Sequence, residues 1–353
     1  MAYSSIIDPT AYFQNLLWTG NGSNRSLTFD GNSDMQPDWT WIKQRSGTNY
    51  HSLTDSVRGL NKQLYSNASD AEATQTTNIT AYGSNGFSLG TDGNVNANSS
   101  TYVGWSWKAG TTGSGTTTGS GTGKAYSYSV STTAGFSIVK YLGNGTAGHT
   151  IPHHLGATPK IIFTKILNSG SFPWWTYSEV IGNTHYLRLN GTNASDEANT
   201  IWNNTSPTSS VFSVGTNGGV NGNDDPIVAY CFADVQGYSK FGSYEGNSST
   251  NGTFVYLGFK PAWLMVKPVD AVDNWVMFDN KRLGFNSSTS PFNFAGANNS
   301  NTETTDTGQL DLLSNGFKIR NSGGTVNKSS TYIYLAFAEE PFVASNYNAA
   351  TAR

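Results

Sequence analysis

The chain has 353 residues, a length that suits two or three domains of ordinary size. Charged residues make up only 12% of it, about half the usual share, and the net charge is -3, which gives no electrostatic ground for nucleic acid or an anionic membrane as partner. With 10 Trp, 18 Tyr and 18 Phe there is ample material for buried cores, and the composition excludes a disordered chain.

In chain order, the first recognisable unit opens on Trp18-Thr-Gly-Asn-Gly-Ser23 and continues into Gln36-Pro-Asp-Trp-Thr-Trp-Ile-Lys43. The same words return at Tyr141-Leu-Gly-Asn-Gly-Thr146 with Leu155-Gly-Ala-Thr-Pro-Lys-Ile-Ile-Phe-Thr-Lys165. They return again at Tyr244-Glu-Gly-Asn-Ser-Ser249 with Leu257-Gly-Phe-Lys-Pro-Ala-Trp-Leu-Met-Val-Lys267. Each time an aromatic-x-Gly-Asn turn precedes a proline, an apolar strand-like run and a lysine. Later in the units come Ser84-Asn-Gly-Phe-Ser-Leu89, Ser210-Val-Phe-Ser-Val214 and Ser314-Asn-Gly-Phe-Lys-Ile319. Closing aromatic strands follow at Tyr102 to Lys108, Ile227 to Ala233 and Tyr332 to Ala338. A repeat of roughly 100 residues points to a scaffold or binding array whose function sits on surfaces.

Two-residue alternation and β-branched or aromatic runs predict strands throughout, with Asn-Gly pairs at 85–86, 217–218, 221–222 and 315–316 as tight hairpin turns. Helical periodicity is confined to about one turn at Asp70-Ala-Glu-Ala-Thr74. The fold class expected is all-β: three tandem β-sandwiches, with a jelly roll or a barrel as variants that pattern does not separate. The divisions are 1–109 for copy one, 110–124 for a Gly/Ser/Thr linker, 125–236 for copy two, 237–341 for copy three and 342–353 for a C-terminal tail, frayed or an assembly arm. The linker reads as a flexible spacer that lets copy one swing, while the short Val235 to Lys240 junction couples copies two and three.

No motif carries catalysis. Asp196-Glu197 and Asp224-Asp225 are the densest acidic spots, and neither has a second acid in an identifiable role. There is no G-x-S-x-G elbow, P-loop or dinucleotide fingerprint, so no catalytic residue and no cofactor is assigned. His149, His153 and His154 lack the Cys, Asp or Glu partners of a zinc site, so no metal is assigned either. Cys231 in Ile227-Val-Ala-Tyr-Cys-Phe232 reads as a small buried hydrophobe. The strongest recurring polar pair is Asp55-x-x-Arg58 and Asp279-x-x-Arg282, read as structural ion pairs fixing a turn at a strand end; copy two has Ser178-Glu-Val-Ile181 there. Trp174 and Trp175, being adjacent, would face opposite sides of a strand, which makes one of them a candidate ligand contact.

The start of the chain has neither a basic n-region nor an apolar h-region, so no signal peptide is expected, and no apolar run reaches the ~20 residues of a membrane span. Synthesis in a cytoplasm is the expectation. The N-x-S/T sequons at Asn67, Asn190, Asn247 and Asn286 reflect composition.

In combination, Trp18 to Gly22, Pro37 to Arg45, Asp55 to Gly59, Ser84 to Gly90 and Tyr102 to Gly110 resemble a repeated β-domain of structural proteins in tailed bacteriophages, especially of marine and cyanobacterial hosts. Tyr332 to Phe342 and the terminal Ala349 to Arg353 are similar to the usual ending of such proteins. The resemblance implies a virion component made in the host bacterial cytoplasm, and it implies no catalytic residues. The expectations drawn from it are a tail fibre or receptor-binding appendage, with a capsid decoration or head-fibre protein as the alternative. The partners expected are other virion proteins, further copies of the chain (a trimer among the options) and a host surface glycan; neither nucleic acid nor membrane insertion is expected. From a different class, a glycan-binding or glycan-degrading enzyme stays as the remote reading.

Overall fold

The computed structural model describes residues 4–282, 286, 291–307, 309–323 and 325–341. The expected tail, 342–353, lies outside the described residues. The fold is all-β, and the sheets are open with linear strand orders.

Each copy is a larger sheet packed on a smaller one. In copy one the larger sheet runs Phe13–Thr19, Thr101–Trp107, Trp39–Gln44, Ser52–Asp55, and the smaller Arg25–Leu27, Gly86–Leu89, Ile79–Gly83. In copy three the larger sheet runs Ser239–Glu245, Thr331–Pro341, Phe259–Pro268, Val276–Asp279, Pro291–Gly296, Thr304–Thr307, and the smaller Phe254–Tyr256, Gly316–Ile319, Leu310–Leu313. Copy two keeps the same centre, Phe136–Leu142, Pro226–Phe232, Ile161–Ile166, Trp175–Ser178, and extends it to eight strands. Two-residue loops at Ser84-Asn85 and Ser314-Asn315 close hairpins onto Gly86 and Gly316.

The central strands of the larger sheets are buried on both faces. One face meets the copy's own small sheet, as where Ile42 and Tyr102 join Leu27, Phe87 and Leu89 in copy one. The other face points to the centre of the molecule, where the three copies share one aromatic core. There Trp39 stacks on Tyr230 with ring centroids 4.5 Å apart and on Trp107 at 4.6 Å, while Phe337 lies 5.6 Å from Trp107 and 5.9 Å from Phe232. Trp107, Phe232 and Phe337 occupy the same place in the three closing strands. The copies therefore pack as a closed ring with approximate threefold symmetry, a trimer written in one chain.

Four expectations are corrected. The stretch 110–124 is not a flexible spacer: Thr111–Thr116 pairs with Ala125–Ser131, and Thr118–Gly119 pairs with His149–Pro152. Its glycines permit this, because Tyr128 and Tyr126 from the neighbouring strand lie over Gly113 and Gly115, where a Cβ would come within 2.6 and 2.8 Å of their hydroxyl groups. Copy one does not swing, since Trp39, Trp105 and Trp107 are locked in the shared core. The helical turn expected at Asp70–Thr74 is extended backbone ending in a two-residue strand, Ala73–Thr74. Short helical turns occur instead at Gly93–Asn96, Asn199–Trp202 and Gly218–Asn221. The Asn217-Gly218 and Asn221-Gly222 pairs bracket the last of these rather than making hairpins, with the Asn217 side chain accepting from Gly219 N at 2.8 Å as an N-cap.

Candidate functional site

The chemistry that recurs in this molecule lies at the three seams between copies. Backbone bonds at equivalent positions close the ring: Glu72 N donates to Leu167 O, Ser195 N to Val269 O and Glu303 N to Arg45 O, at 2.7, 2.6 and 2.9 Å. Four residues before the turn of the Asp-x-x-Arg pair, a second set of equivalents crosses the same seams. Trp174 Nε1 donates to Tyr65 O at 2.8 Å, Trp275 Nε1 to Arg188 O at 2.9 Å, and His51 Nε2 reaches Gly296 O at 3.0 Å. Trp41 Nε1 donates to His51 Nδ1 at 2.8 Å, so the proton of the neutral ring sits on Nε2. Burial first, then the nearby Lys43 charge, pushes His51 down to about 3.

The lysine that ends each repeated strand is buried at the same seam. Lys43 Nζ donates to Gln44 O, Gly47 O, Asn49 O and, across the seam, Ser300 O. Lys267 bonds Pro268 O and Ala271 O in its own copy and Thr192 O in copy two, and Lys165 bonds Ile166 O and Ser169 O. Burial lowers all three to about 8. Each lysine thus gathers the carbonyls of a turn that its own strand leads into.

Both ion pairs form and both reach across a seam. The Asp55 carboxylate accepts from Val57 N and Arg58 N, pairs with Arg58 Nε, and also accepts from the Tyr230 hydroxyl of copy two at 2.7 Å. Arg58 further bonds Leu53 O and pairs with Glu72 at 3.1 Å. Asp279 repeats this with Lys281 N, Arg282 N and Arg282 Nε, and accepts from Trp105 Nε1 of copy one at 3.1 Å. Arg282 bonds Met277 O, lies over the Trp105 ring and pairs with Glu303, which in turn holds Arg45 of copy one through two bonds. The carboxylates and guanidinium groups of both pairs are fully buried.

At the seam between copies two and three every member of this network is replaced together. Ser178 stands in the place of Asp55, Ile181 in that of Arg58, Ser195 in that of Glu72, and Leu335 in that of Tyr230 and Trp105. Ile181 packs against the shared core and Leu335 is buried. A charged set and an apolar set fill one geometric slot, and no seam mixes them, as the cost of an unpaired buried charge requires.

The aromatic-x-Gly-Asn turns are explained by a partner that sequence reading missed. Trp18 Nε1, Tyr141 Oη and Tyr244 Oη donate to the carbonyls of Val95, Val220 and Val326. The following residues, Asn96, Asn221 and Asn327, accept from the backbone N–H of the turn asparagines Asn21, Asn144 and Asn247 and donate to two backbone carbonyls each. At Gly20, Gly143 and Gly246 a Cβ would come within 2.2, 2.3 and 1.9 Å of a backbone carbonyl, so only glycine allows this approach. The signal was present as a repeated Val-Asn dipeptide in the glycine-rich stretch before each closing strand.

Neither candidate tryptophan offers its ring to solvent: Trp174 is 0% and Trp175 6% exposed. They do face opposite sides of their sheet, but both sides are covered, Trp174 by the shared core and Trp175 by the core of copy two. The histidines around Pro152 are bonded within the fold. His149 spans Asn221 Oδ1 and Thr117 Oγ1, at 2.9 and 2.6 Å, and His153 takes Thr208 O and Leu155 N. Burial depresses His149 and brings His153 down to about 4, so both are neutral rings holding turns. No group of three metal-ligating side chains occurs among the described residues. Asp224 pairs with Lys124, and Asp196 with Arg188 and Tyr186. Cys231 is fully buried, and burial pushes its thiol up.

A family model described as a domain of unknown function, DUF7483, matches residues 8–341, and the chain belongs to that family. No curated protein and no solved structure matches it.

Proposed function

Beyond that membership, which carries no activity with it, we propose that the chain is a non-enzymatic virion surface protein of a tailed bacteriophage, acting as a tail fibre or receptor-binding appendage. The observation that carries the reading is the ring itself: three copies of one unit closed around a shared aromatic core, with their most recurrent side chains spent on the seams. Such a body is rigid at its centre and presents three small outer sheets that differ between copies. Rigidity with unequal outer faces suits attachment. It also bears on the expected trimer, because one chain supplies the three units that a homotrimer would otherwise assemble.

The approximate threefold symmetry favours a second reading, a decoration seated on a threefold position of a capsid. Electron microscopy of virions carrying gold-labelled antibody against the chain separates the two. Label at the tail tip, with binding of the purified chain to host cells, is the expected result. Label confined to the head, with no cell binding, overturns the attachment reading in favour of decoration.

A further inference from the structure

The outer face of the small sheet in copy three differs in kind from those of its sister copies. The strand Phe254–Tyr256 buries Val255 against the core and turns Phe254 and Tyr256 outward, 44% and 47% exposed. By register, the same two outward positions are Ser26 and Thr28 in copy one, and Thr150 and Pro152 in copy two. In copy two that edge is also covered by the strand Thr118–Gly119. Among the described residues, no strand pairs with the corresponding edge of copy three.

Charge gathers on the same face. Lys318 lies directly across from Phe254, Asp311 across from Lys318, and Arg320 pairs with Asp311. Lys240 sits over the Tyr256 ring at 5.6 Å. Three cations therefore stand with two carboxylates, Asp311 and the Asp234 near Lys240, beside two aromatic rings, in a chain whose net charge is -3. Outward side chains two residues apart on a strand are spaced by about 7 Å, so consecutive rings of an extended ligand can each take one aromatic. The faces of sugar rings are apolar C–H surfaces suited to stacking, and the surplus of Lys and Arg complements carboxylate or sulfate groups at the ring edges.

We infer that Phe254 and Tyr256, flanked by Lys240, Lys318 and Arg320, form a binding face for an anionic polysaccharide. The inference deepens the attachment reading by naming the ligand class and the copy that presents, and it rests on that reading only for where the glycan is met. The test is calorimetric titration of the full chain with an alginate hexamer, a sulfated dextran and neutral cellohexaose. Expected are saturable binding of the uronate or the sulfated probe and weakening with added salt. The variant Phe254→Ser with Tyr256→Thr installs the residues of copy one and should lower affinity about tenfold or more with the melting temperature unchanged. Lys318→Ala should weaken the anionic probe severalfold. Failure of both anionic probes to bind, equal binding of cellohexaose, or undiminished binding by the double variant overturns the inference. Because the titration uses isolated chain, binding retained alongside a head-only virion label would sink the attachment reading and leave this site standing.

Discussion

Replacing Arg58 by isoleucine, the residue that copy two carries in that place, should be among the most damaging single changes in the chain. The substitution removes the guanidinium from a fully buried carboxylate, leaves Leu53 O only its backbone donor Leu64 N, and leaves Glu72 only the longer contact with Lys62 at 3.8 Å. Asp55 keeps the Tyr230 hydroxyl and its two backbone donors, which soften the loss without neutralising the charge. Breaking a buried pair from one side costs about 3–5 kcal/mol. For a chain of this length the unfolding entropy is roughly 0.7 kcal/mol/K, so the melting temperature should fall by about 4–7 °C. The informative comparison is the full exchange, Asp55→Ser, Arg58→Ile, Glu72→Ser and Tyr230→Leu, which rebuilds the seam between copies two and three at the seam between one and two. It removes the stranded charge, and despite losing the Tyr230 stack on Trp39 it should return to within about 2 kcal/mol of the parent. Scanning calorimetry of parent, single and quadruple variants reads both numbers. A single variant as stable as the parent, or a quadruple variant no better than the single, refutes the claim that the slot accepts either a complete charged set or a complete apolar one.

Gly143→Ala should lower stability by about 2–3 kcal/mol in denaturant titration, because its methyl group would meet Gly222 O. Asn221→Ala should cost about 3 kcal/mol or more by the same measurement, since it strands Gly215 O, Asn144 N and His149 Nδ1 at once. His51 is held at about 3, below its unfolded value near 6.5, so the unfolded chain takes up its proton first as pH falls. The stability it contributes is present above about pH 6.5 and drains away toward pH 3, with a slope approaching 1.4 kcal/mol per pH unit. Chemical unfolding of parent and His51→Gln at each pH should differ by that slope, and parallel curves would refute it. Since the copies share one core, deleting residues 1–109 should expose Phe232, Trp263 and Phe337 and give a fragment that binds the hydrophobic dye ANS, whereas separable copies would leave it native.

The all-β class and the hairpins at Ser84-Asn85 and Ser314-Asn315 were legible because turn chemistry is local: a glycine beside an asparagine reports its own backbone. Side-chain periodicity reports which residues avoid water, and it is silent about what covers them. That is why Trp174 and Trp175 looked half exposed. Alternation implies one wet face, and the central strands of the larger sheets here have none, as the wholly buried runs Trp39–Gln44 and Trp175–Ser178 show. The stretch 110–124 misled for the complementary reason. Its lack of side chains reads as freedom, yet in a strand beside Tyr126 and Tyr128 it is what makes room for their rings. Asn96, Asn221 and Asn327 escaped notice because each looks ordinary among its neighbouring asparagines: the mark is the Val-Asn pair that recurs in all three copies, and its meaning lies in the carbonyls brought to it from distant turns.

The seams give a reason for fusing the three copies in one chain. A homotrimer repeats one interface three times, so any side chain that improves a seam is imposed on all three, and any outer face is presented in triplicate. Fusion lifts both constraints. The seam between copies two and three, joined by the short Ala233–Tyr238 connection, could turn apolar, while the seam between copies three and one, which no direct connection spans, carries the densest polar set: Arg45, Glu303, Arg282, Asp279, Trp105, Lys43 and His51. Directional bonds are most useful where the chain itself does not enforce registry. The same freedom lets one small sheet carry Phe254 and Tyr256 where its sisters carry serine, threonine and proline. Divergence among the copies therefore follows the ring: the closing-strand position at the axis stays aromatic in all three as Trp107, Phe232 and Phe337, the axis-facing partner position stays apolar as Trp39, Ile161 and Trp263, and the seam residues change as sets.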